Sequence, residues 1–465
     1  MVYRWVVLIG LLLVTSVNEA AAEKPSARTN VIIILADDAG VETIGAYGGL
    51  YKTPRIDGLA RQGVRFENAH ATPLCTPSRV RLLTGRYSFR NYKAFGHLDP
   101  QATTIAKVLQ RAGYRTAISG KWQLAGNPLD GVPGSTPSEA GFDESRVWHA
   151  GPRQWDEGCQ HWGPTLETNG RRQTNPGEFG SDLVQQFAMD FIERNARQPF
   201  FLLYSMILPH DPWVATPARR NASDRQDKFA AMMGYMDSQV GELLDRLDTL
   251  GIASQTLVVF VADNGTHPLI VSTRDGVPVQ GGKGSTLDAG THVPLILRWS
   301  PQVKPSTVSA QIADLTDVFA TVASAAGQAR AARASDGYDL LRGLKDRRAP
   351  RRASIFMDFS ANWWPLEPVR YAFTPQWKLY DDGRYYDTNA DPLEARPLMS
   401  EQLSDKARAA QLRLRKTLDG MGDHAMSVTD RHFPPGFDPK RVDFAAATAK
   451  LADSNRRCGD PSRVP

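Results

Sequence analysis

Four residues with oxygen-bearing side chains stand in two short strings, Asp37-Asp38 and Asp263-Asn264-Gly265. Oxygen ligands suit hard divalent cations such as calcium or magnesium. Three carboxylates brought together would repel one another unless a cation offset their charge, although each string alone is also ordinary turn chemistry. Other strings carry charge or a nucleophile: Cys75-Thr76-Pro77-Ser78-Arg79, Gly120-Lys121-Trp122, Pro209-His210-Asp211-Pro212 and Gly281-Gly282-Lys283-Gly284. A lysine is ordinarily solvated, but the glycines beside Lys121 and Lys283 leave room for close ligand approach. Cysteine is often buried as a small hydrophobe, and Pro77 and Ser78 suit a turn or helix start.

The elements that must position these residues show in the apolar runs around them. Residues 30–36 are mostly β-branched, read as a fully buried parallel strand, and end directly in Asp37-Asp38. Residues 256–262 form a second such run and end in Asp263-Asn264. Two buried strands finishing in acidic or amide residues are the layout expected when a ligand sits outside the carboxyl ends of a parallel sheet. Residues 103–111 and 229–250 read as helices closed by Gly113 and Gly251. Residues 114–119, 200–206 and 293–297 read as further strands. The pattern predicts an α/β fold, a large domain with a mostly parallel central sheet flanked by helices. After it, the basic stretch 345–352 reads as a linker. Short strands near 354–359, 369–373 and 377–380 and a helix over 403–418 predict a smaller C-terminal α+β domain.

In this order, Asp37-Asp38, the Cys75 to Arg79 string with Leu82-Leu83-Thr84-Gly85-Arg86 behind it, Gly120-Lys121-Trp122, Pro209-His210-Asp211-Pro212, Asp263-Asn264-Gly265 and Gly281-Gly282-Lys283-Gly284 resemble the motif set of the sulfatases of the alkaline phosphatase superfamily. The similarity runs through most of residues 29–390, and the segment from Tyr385 to Glu394 is similar to the family's late Asp-Pro-x-Glu ending. The resemblance implies that Cys75 is a cofactor precursor. In that family a formylglycine-generating or equivalent maturation enzyme reads Cys-x-Pro-Ser-Arg in the unfolded chain and converts the thiol to formylglycine, whose hydrate supplies the nucleophilic oxygen. It implies that Asp37, Asp38, Asp263 and Asn264 bind calcium, with magnesium as the alternative, together with the group made from Cys75. Arg79 would hold the formylglycine hydrate, Lys121 and Lys283 would neutralise the sulfate oxygens, and His210 would protonate the leaving alcohol.

The chain departs from that pattern at Gln123, where the family usually has a histidine that assists the second half of the reaction. An amide donates and accepts hydrogen bonds but takes no proton near neutral pH. His267 follows the Asp-Asn-Gly string, and His292 stands where many relatives carry arginine, so either is expected to line the pocket and take over proton handling or substrate contact. Substrate identity is expected in residues 148–172, with Trp148, His149, Trp155, His161, Trp162, Arg171 and Arg172. Aromatic faces suit sugar rings, and arginines meet further acidic groups.

At 465 residues the chain exceeds what one core usually serves, and its net charge of +5 is modest. No motif points to nucleic acid. Arg4, the apolar run 5–14 and Ala20-Ala21-Ala22 follow the pattern of a secretory signal peptide. No later segment approaches the roughly twenty apolar residues a membrane span needs, so export to the periplasm or outside, without stable membrane insertion, is expected. The organisation expected is a signal peptide (1–22), a catalytic domain (23–345), a smaller domain (346–435) and a tail (436–465). Three cysteines, Cys75, Cys159 and Cys458, provide no disulfide framework. The reading is a sulfuric ester hydrolase acting on a sulfated saccharide. The alternatives are an arylsulfatase on small aryl sulfates, a phosphonate or phosphate monoester hydrolase, and a noncatalytic polyanion-binding relative.

Overall fold

The computed structural model describes residues 28–126, 133–148, 160–361 and 368–422. The leader 1–22, His149, Trp155, Cys159, Cys458 and the tail 436–465 lie outside the described residues.

The large sheet is built from β1 (Asn30–Ala36), β2 (Val64–His70), β3 (Arg115–Lys121), β4 (Glu144–Trp148), β5 (Thr165–Thr168), β6 (Arg171–Thr174), β7 (Phe200–Ser205) and β8 (Thr256–Ala262). Past a small hairpin of β9 (Val271–Arg274) and β10 (Val277–Gln280), it gains β11 (Leu295–Arg298) and β12 (Thr307–Asp314). The strand order is β12-β2-β11-β8-β1-β7-β3-β4-β5-β6. The centre, from β8 through β1, β7 and β3 to β4, is parallel. β11 runs against both its neighbours, and β5 and β6 are antiparallel at the far edge, so the parallel sheet expected from sequence is the core of a mixed one.

All seven residues of β1 and all seven of β8 are buried. A strand covered on both faces can be apolar throughout, which is why these two runs show no alternation. The helix Gly180–Asn195 packs on β3 and β7, and Arg225–Thr249 packs beside the helix Pro54–Gln62. The helix over Arg225–Thr249 starts four residues before its apolar periodicity because Asp224 caps it, accepting a hydrogen bond from the Asp227 amide.

The C-terminal part is an antiparallel meander of β13 (Ile355–Phe359), β14 (Val369–Phe373), β15 (Trp377–Tyr380) and β16 (Tyr385–Asp387), followed by the helix Asp405–Gly420. Strand alternation sorts its side chains onto two faces. Phe356, Ala372, Leu379 and Tyr385 meet Ala407, Ala410, Leu414 and Leu418 of the helix. Ile355, Met357, Phe359, Tyr371 and Phe373 point the other way and pack against Leu74, Cys75 and Phe95. The small sheet therefore roofs the turn that carries Cys75.

The stretch 345–352 is not a solvated linker throughout. Arg352 is buried, with Nε 2.9 Å from Asp317 Oδ2, Nη2 3.0 Å from Thr316 Oγ1, and Nη1 donating to the Tyr87 hydroxyl. A guanidinium out of water must find such partners, and its run of basic neighbours conceals that in the sequence.

Candidate active site

β1 delivers Asp37 and Asp38 at its carboxyl end, and its parallel neighbour β8 delivers Asp263 and Asn264 in register, Ala36 opposite Ala262. Asp38 sits at φ 67°, a left-handed backbone uncommon away from glycine and frequent at functional sites. Its amide donates to Asp263 Oδ1 (3.2 Å), and Asn264 Nδ2 donates to Asp38 Oδ1 (2.8 Å). All four residues are buried. Two strings separated by more than two hundred residues thus share one site.

Three cations close on it from other elements. Lys121, the last residue of β3, places Nζ 2.9 Å from Asp37 Oδ1. Lys283 places Nζ 2.6 Å from Asp38 Oδ2. Arg79 donates from Nε to Asp263 Oδ2 (2.9 Å) and from Nη1 to Ser205 Oγ (2.6 Å) and the Lys121 carbonyl (3.1 Å). Its guanidinium therefore braces the ends of β3, β7 and β8. Cys75 opens the helix Cys75–Thr84, whose ten residues are all buried, and Ser78 Oγ accepts from the Thr72 amide (3.0 Å) to fix the turn before it.

His210 lies with Nε2 3.3 Å from Lys283 Nζ and 3.8 Å from Asp38 Oδ2, while Nδ1 is 2.5 Å from the Asp211 carbonyl. A carbonyl only accepts, so Nδ1 carries the proton, leaving Nε2 to accept from Lys283. Burial, then Lys121 and Lys283, push its pKa down to about 4. Burial, with Asp37 beside it, pushes Asp263 up to about 6, the lowering by Arg79 notwithstanding. Asp38 behaves oppositely: burial works against its charge, but Lys283, His210 and Lys121 hold its carboxyl well below the usual range. Burial raises the Cys75 thiol, against the pull of Lys121 and Lys283.

Gly120 and Gly282, the residues just before the two lysines, serve the backbone rather than a ligand. Gly120, at φ 107°, brings β3 so near β7 that a Cβ would stand 1.8 Å from the Ser205 carbonyl oxygen. A Cβ on Gly282 would stand 2.5 Å from the Gly290 amide nitrogen. Close chain packing is what aims Lys121 and Lys283 inward.

The donor set fits a hard divalent cation. It contains three carboxylates and one amide, all oxygen donors, and Asn264 Oδ1 is a buried acceptor with no hydrogen-bond donor among the described residues. Asp37, Asp38 and His210 also form a convergent group of possible ligand atoms.

The remaining sequence candidates separate. Gln123 is buried at φ 59°, and its Oε1 accepts from Thr76 Oγ1 (3.4 Å), the residue after Cys75. His267 stands edge-on to Trp213, ring centroids 5.1 Å apart, and burial, with Lys283 adding to it and Asp211 opposing, sets its pKa below the ordinary value. His292 belongs to another group, hydrogen-bonded to Asp288 and the Glu67 carbonyl and stacked on His70. Trp148 and Trp162 are buried, Trp162 donating to the Ala215 carbonyl (2.8 Å), so both pack. His161 Nε2 lies 3.1 Å from the His210 carbonyl, behind the loop that carries His210, and Arg171 is exposed on β6. Sequence reading missed Ser205, whose hydroxyl accepts from Arg79 and donates to the Lys121 carbonyl (2.7 Å). The one signal was a hydroxyl closing the apolar run of β7.

Buried carboxylates at the strand ends, with two inward lysines and a histidine beside a helix-borne cysteine, suit an anionic substrate held next to a cation. Residues 29–328 match the family described as Sulfatase. The chain is 28% identical to steryl-sulfatase of Mus musculus, with 88% of this chain and 86% of that protein covered. It is 31% identical to N-acetylgalactosamine-6-sulfatase of Canis lupus familiaris over 71% of this chain and 69% of that one. Its fold is similar to the solved structure of Ps i-CgsB in complex with k-i-k-neocarrahexaose, with a TM-score of 0.72, 21% identity, and coverage of 94% of this chain and 100% of that one. The chain belongs to the sulfatase family and is a sulfuric ester hydrolase.

Proposed function

We propose that this protein is an exported sulfatase that releases sulfate from a sulfated carbohydrate, with formylglycine made from Cys75 by a maturation enzyme and a calcium ion held by Asp37, Asp38, Asp263 and Asn264. The observation that carries the reading is the convergence of Lys121, Lys283 and His210 on the buried oxygen cluster beside Cys75. Calcium there would draw charge from the sulfate oxygens, and the aldehyde hydrate would supply the attacking oxygen.

The chain's own residues do the rest. Asp37, Asp38 and Asp263 are matched in charge by Lys121, Lys283 and Arg79, so a dication leaves the site positive and receptive to an anionic ester. Lys121 and Lys283 face the nonbridging oxygens from two sides. Arg79, tied to Asp263, Ser205 and the Lys121 carbonyl, is a positioning residue for the first turn of the Cys75 helix. Burial, then Lys121 and Lys283, keep His210 neutral in the free site; a bound sulfate ester would offset those lysine charges, so that Nε2 takes a proton from solvent as substrate binds and passes it to the leaving alcohol oxygen. Trp213 and His267 supply an apolar edge near this histidine that suits a sugar face.

Sulfated carbohydrate is favoured because several sulfatase relatives of this chain are named for amino-sugar substrates. Export rests on the leader, with no helix among the described residues long and apolar enough to cross a membrane. Sulfate release from sulfated sugar oligomers, in parallel with aryl sulfate and phosphonate esters, tests the function. Cleavage of phosphorus esters alone sinks it, and aryl sulfate turnover without sugar turnover replaces the substrate class. Mass analysis of the Cys75 peptide from active enzyme must show the aldehyde.

A further inference from the structure

A second cluster of metal-binding side chains lies at the same end of the large sheet, on its β2–β11 side. The backbone builds it. The Val293 amide donates to the Ala69 carbonyl (2.9 Å) and the Ala71 amide to the Thr291 carbonyl (2.8 Å), which sets His70 opposite His292. The two imidazoles stack with centroids 4.8 Å apart. Asp288, one helical turn before His292, places Oδ2 3.0 Å from His292 Nδ1. All three line a cavity of about 350 Å³.

We propose that His70, Asp288 and His292 form a binding site for a borderline divalent cation, zinc, separate from the oxygen-only calcium site.

Three observations carry it. One ligand atom from each residue lies within 4.8 Å of the others, and tetrahedral zinc with bonds near 2.0–2.1 Å asks for about 3.3 Å, a closure that side-chain rotation supplies. Next, His292 Nε2 is 2.8 Å from the Glu67 carbonyl, which only accepts, so this nitrogen holds a proton and Nδ1 is the one that faces Asp288. That arrangement, one ring nitrogen donating to a carbonyl while the other meets the ion, is how zinc-bound histidines are commonly oriented. The ion would replace the proton that His292 shares with Asp288. Finally, the Asp288 side chain is 56% exposed, so the ion has access and an open position for water or an anionic group from the cavity. Two imidazoles and one carboxylate suit zinc better than calcium, which prefers oxygen donors in larger number.

The test uses the full protein saturated with calcium and titrated with zinc ion by calorimetry. One zinc per chain is expected, with the affinity falling tenfold or more in His70→Gln and in Asp288→Asn. Melting curves of both variants report whether they fold. In crystals of the unaltered protein, anomalous scattering at the zinc edge should place the ion between His70, Asp288 and His292, a readout that holds even if a variant fails to fold. No zinc uptake in the presence of calcium overturns the proposal, as does uptake that both folded variants leave unchanged. A zinc peak only among Asp37, Asp38 and Asp263, displaced by excess calcium, overturns it equally.

Discussion

The oxygen cluster at the ends of β1 and β8 and the imidazole cluster between β2 and β11 sit at one end of one sheet, yet they manage charge in opposite ways. At the first, carboxylates are fully buried and held by ion pairs to Lys121, Lys283 and Arg79, with the backbone of Asp38 strained to bring its carboxylate in. At the second, the single carboxylate is half exposed and the buried groups are two stacked imidazoles, one of them hydrogen-bonded to Asp288. Burial of three carboxylates is tolerable only with compensating charge on every side, whereas imidazoles can be buried by losing or sharing a proton. The first arrangement is therefore balanced in charge and would turn positive when a dication joins it, whereas an ion at the second must displace a proton.

The largest effects separate the two regions outright. Cys75→Ala is expected to lower turnover by roughly 10⁴-fold or more, as removal of a nucleophile does, while zinc uptake at His70 and His292 stays intact. Steady-state rates and zinc titration on the same preparation measure both. A residual rate near that of the unaltered enzyme would remove residue 75 from the chemistry. Next comes Lys283→Met, which takes a charge from the nonbridging oxygens and frees Asp38 of its 2.6 Å partner. A fall in kcat of about 10²–10³-fold is expected. Lys121→Met should cost stability as well, about 3–5 kcal/mol, because Asp37 is left buried without its closest cation. Chemical denaturation measures that loss, and an unchanged unfolding midpoint would show the pair to be dispensable for the fold.

How much of this contrast the sequence shows follows from how local each site is. β1 and β8 were legible to the residue because fully buried parallel strands are unbroken apolar runs, and the acidic residues that end them mark the ligand side. The lysines and His210 were legible as motif strings, but the reason for their flanking glycines was not, since it depends on the approach of β7 to β3 and of residue 290 to residue 282. β12 was missed because it is an edge strand with mixed burial and a bulge between Ser309 and Ile312, which breaks the period of two. The pairing of His70 with His292 could not be read at all. It exists only through the register of Ala69 against Val293, and no local pattern in either segment records it. Arg352 was hidden for a similar reason, one buried guanidinium in a run of solvated ones.

A smaller effect tests the electrostatics of the oxygen site against its neighbour. With Asp263 pushed up to about 6, a proton would compete with the proposed calcium below that pH. Calcium affinity should hold from neutral pH down to about 6 and then weaken, approaching tenfold per pH unit. The sign for the ion-free fold is set by the same shift. A carboxyl raised above its unfolded value lets the native chain bind the extra proton, so this group's contribution to stability falls as pH rises from about 4 through about 6. Calcium titrations across this range, with Asp263→Asn as the variant that removes the proton site along with the ligand, measure both. An affinity flat down to pH 5 would mean that Asp263 is not the group that competes.

The smallest effect expected lies at Gln123, in the loop after β3 and against the turn that carries Cys75. Its left-handed backbone and its contact with Thr76 hold an amide beside the residue that follows Cys75, at the place where a histidine would otherwise take part in the second half of the reaction. Histidine tolerates this backbone region better than most residues, so Gln123→His should fold without added strain. Because a group that can accept a proton then stands next to the site, kcat should rise, by less than tenfold, and acquire a fall on the acidic side near the ordinary histidine pKa of about 6.5, where that base becomes protonated. A pH profile of kcat measures it. An unchanged kcat with an unchanged profile would place proton handling at His210 or His267 instead. Substitution of His267 would then divide those two, because its ring sits against Trp213 at the edge of the site while His210 touches Lys283 within it.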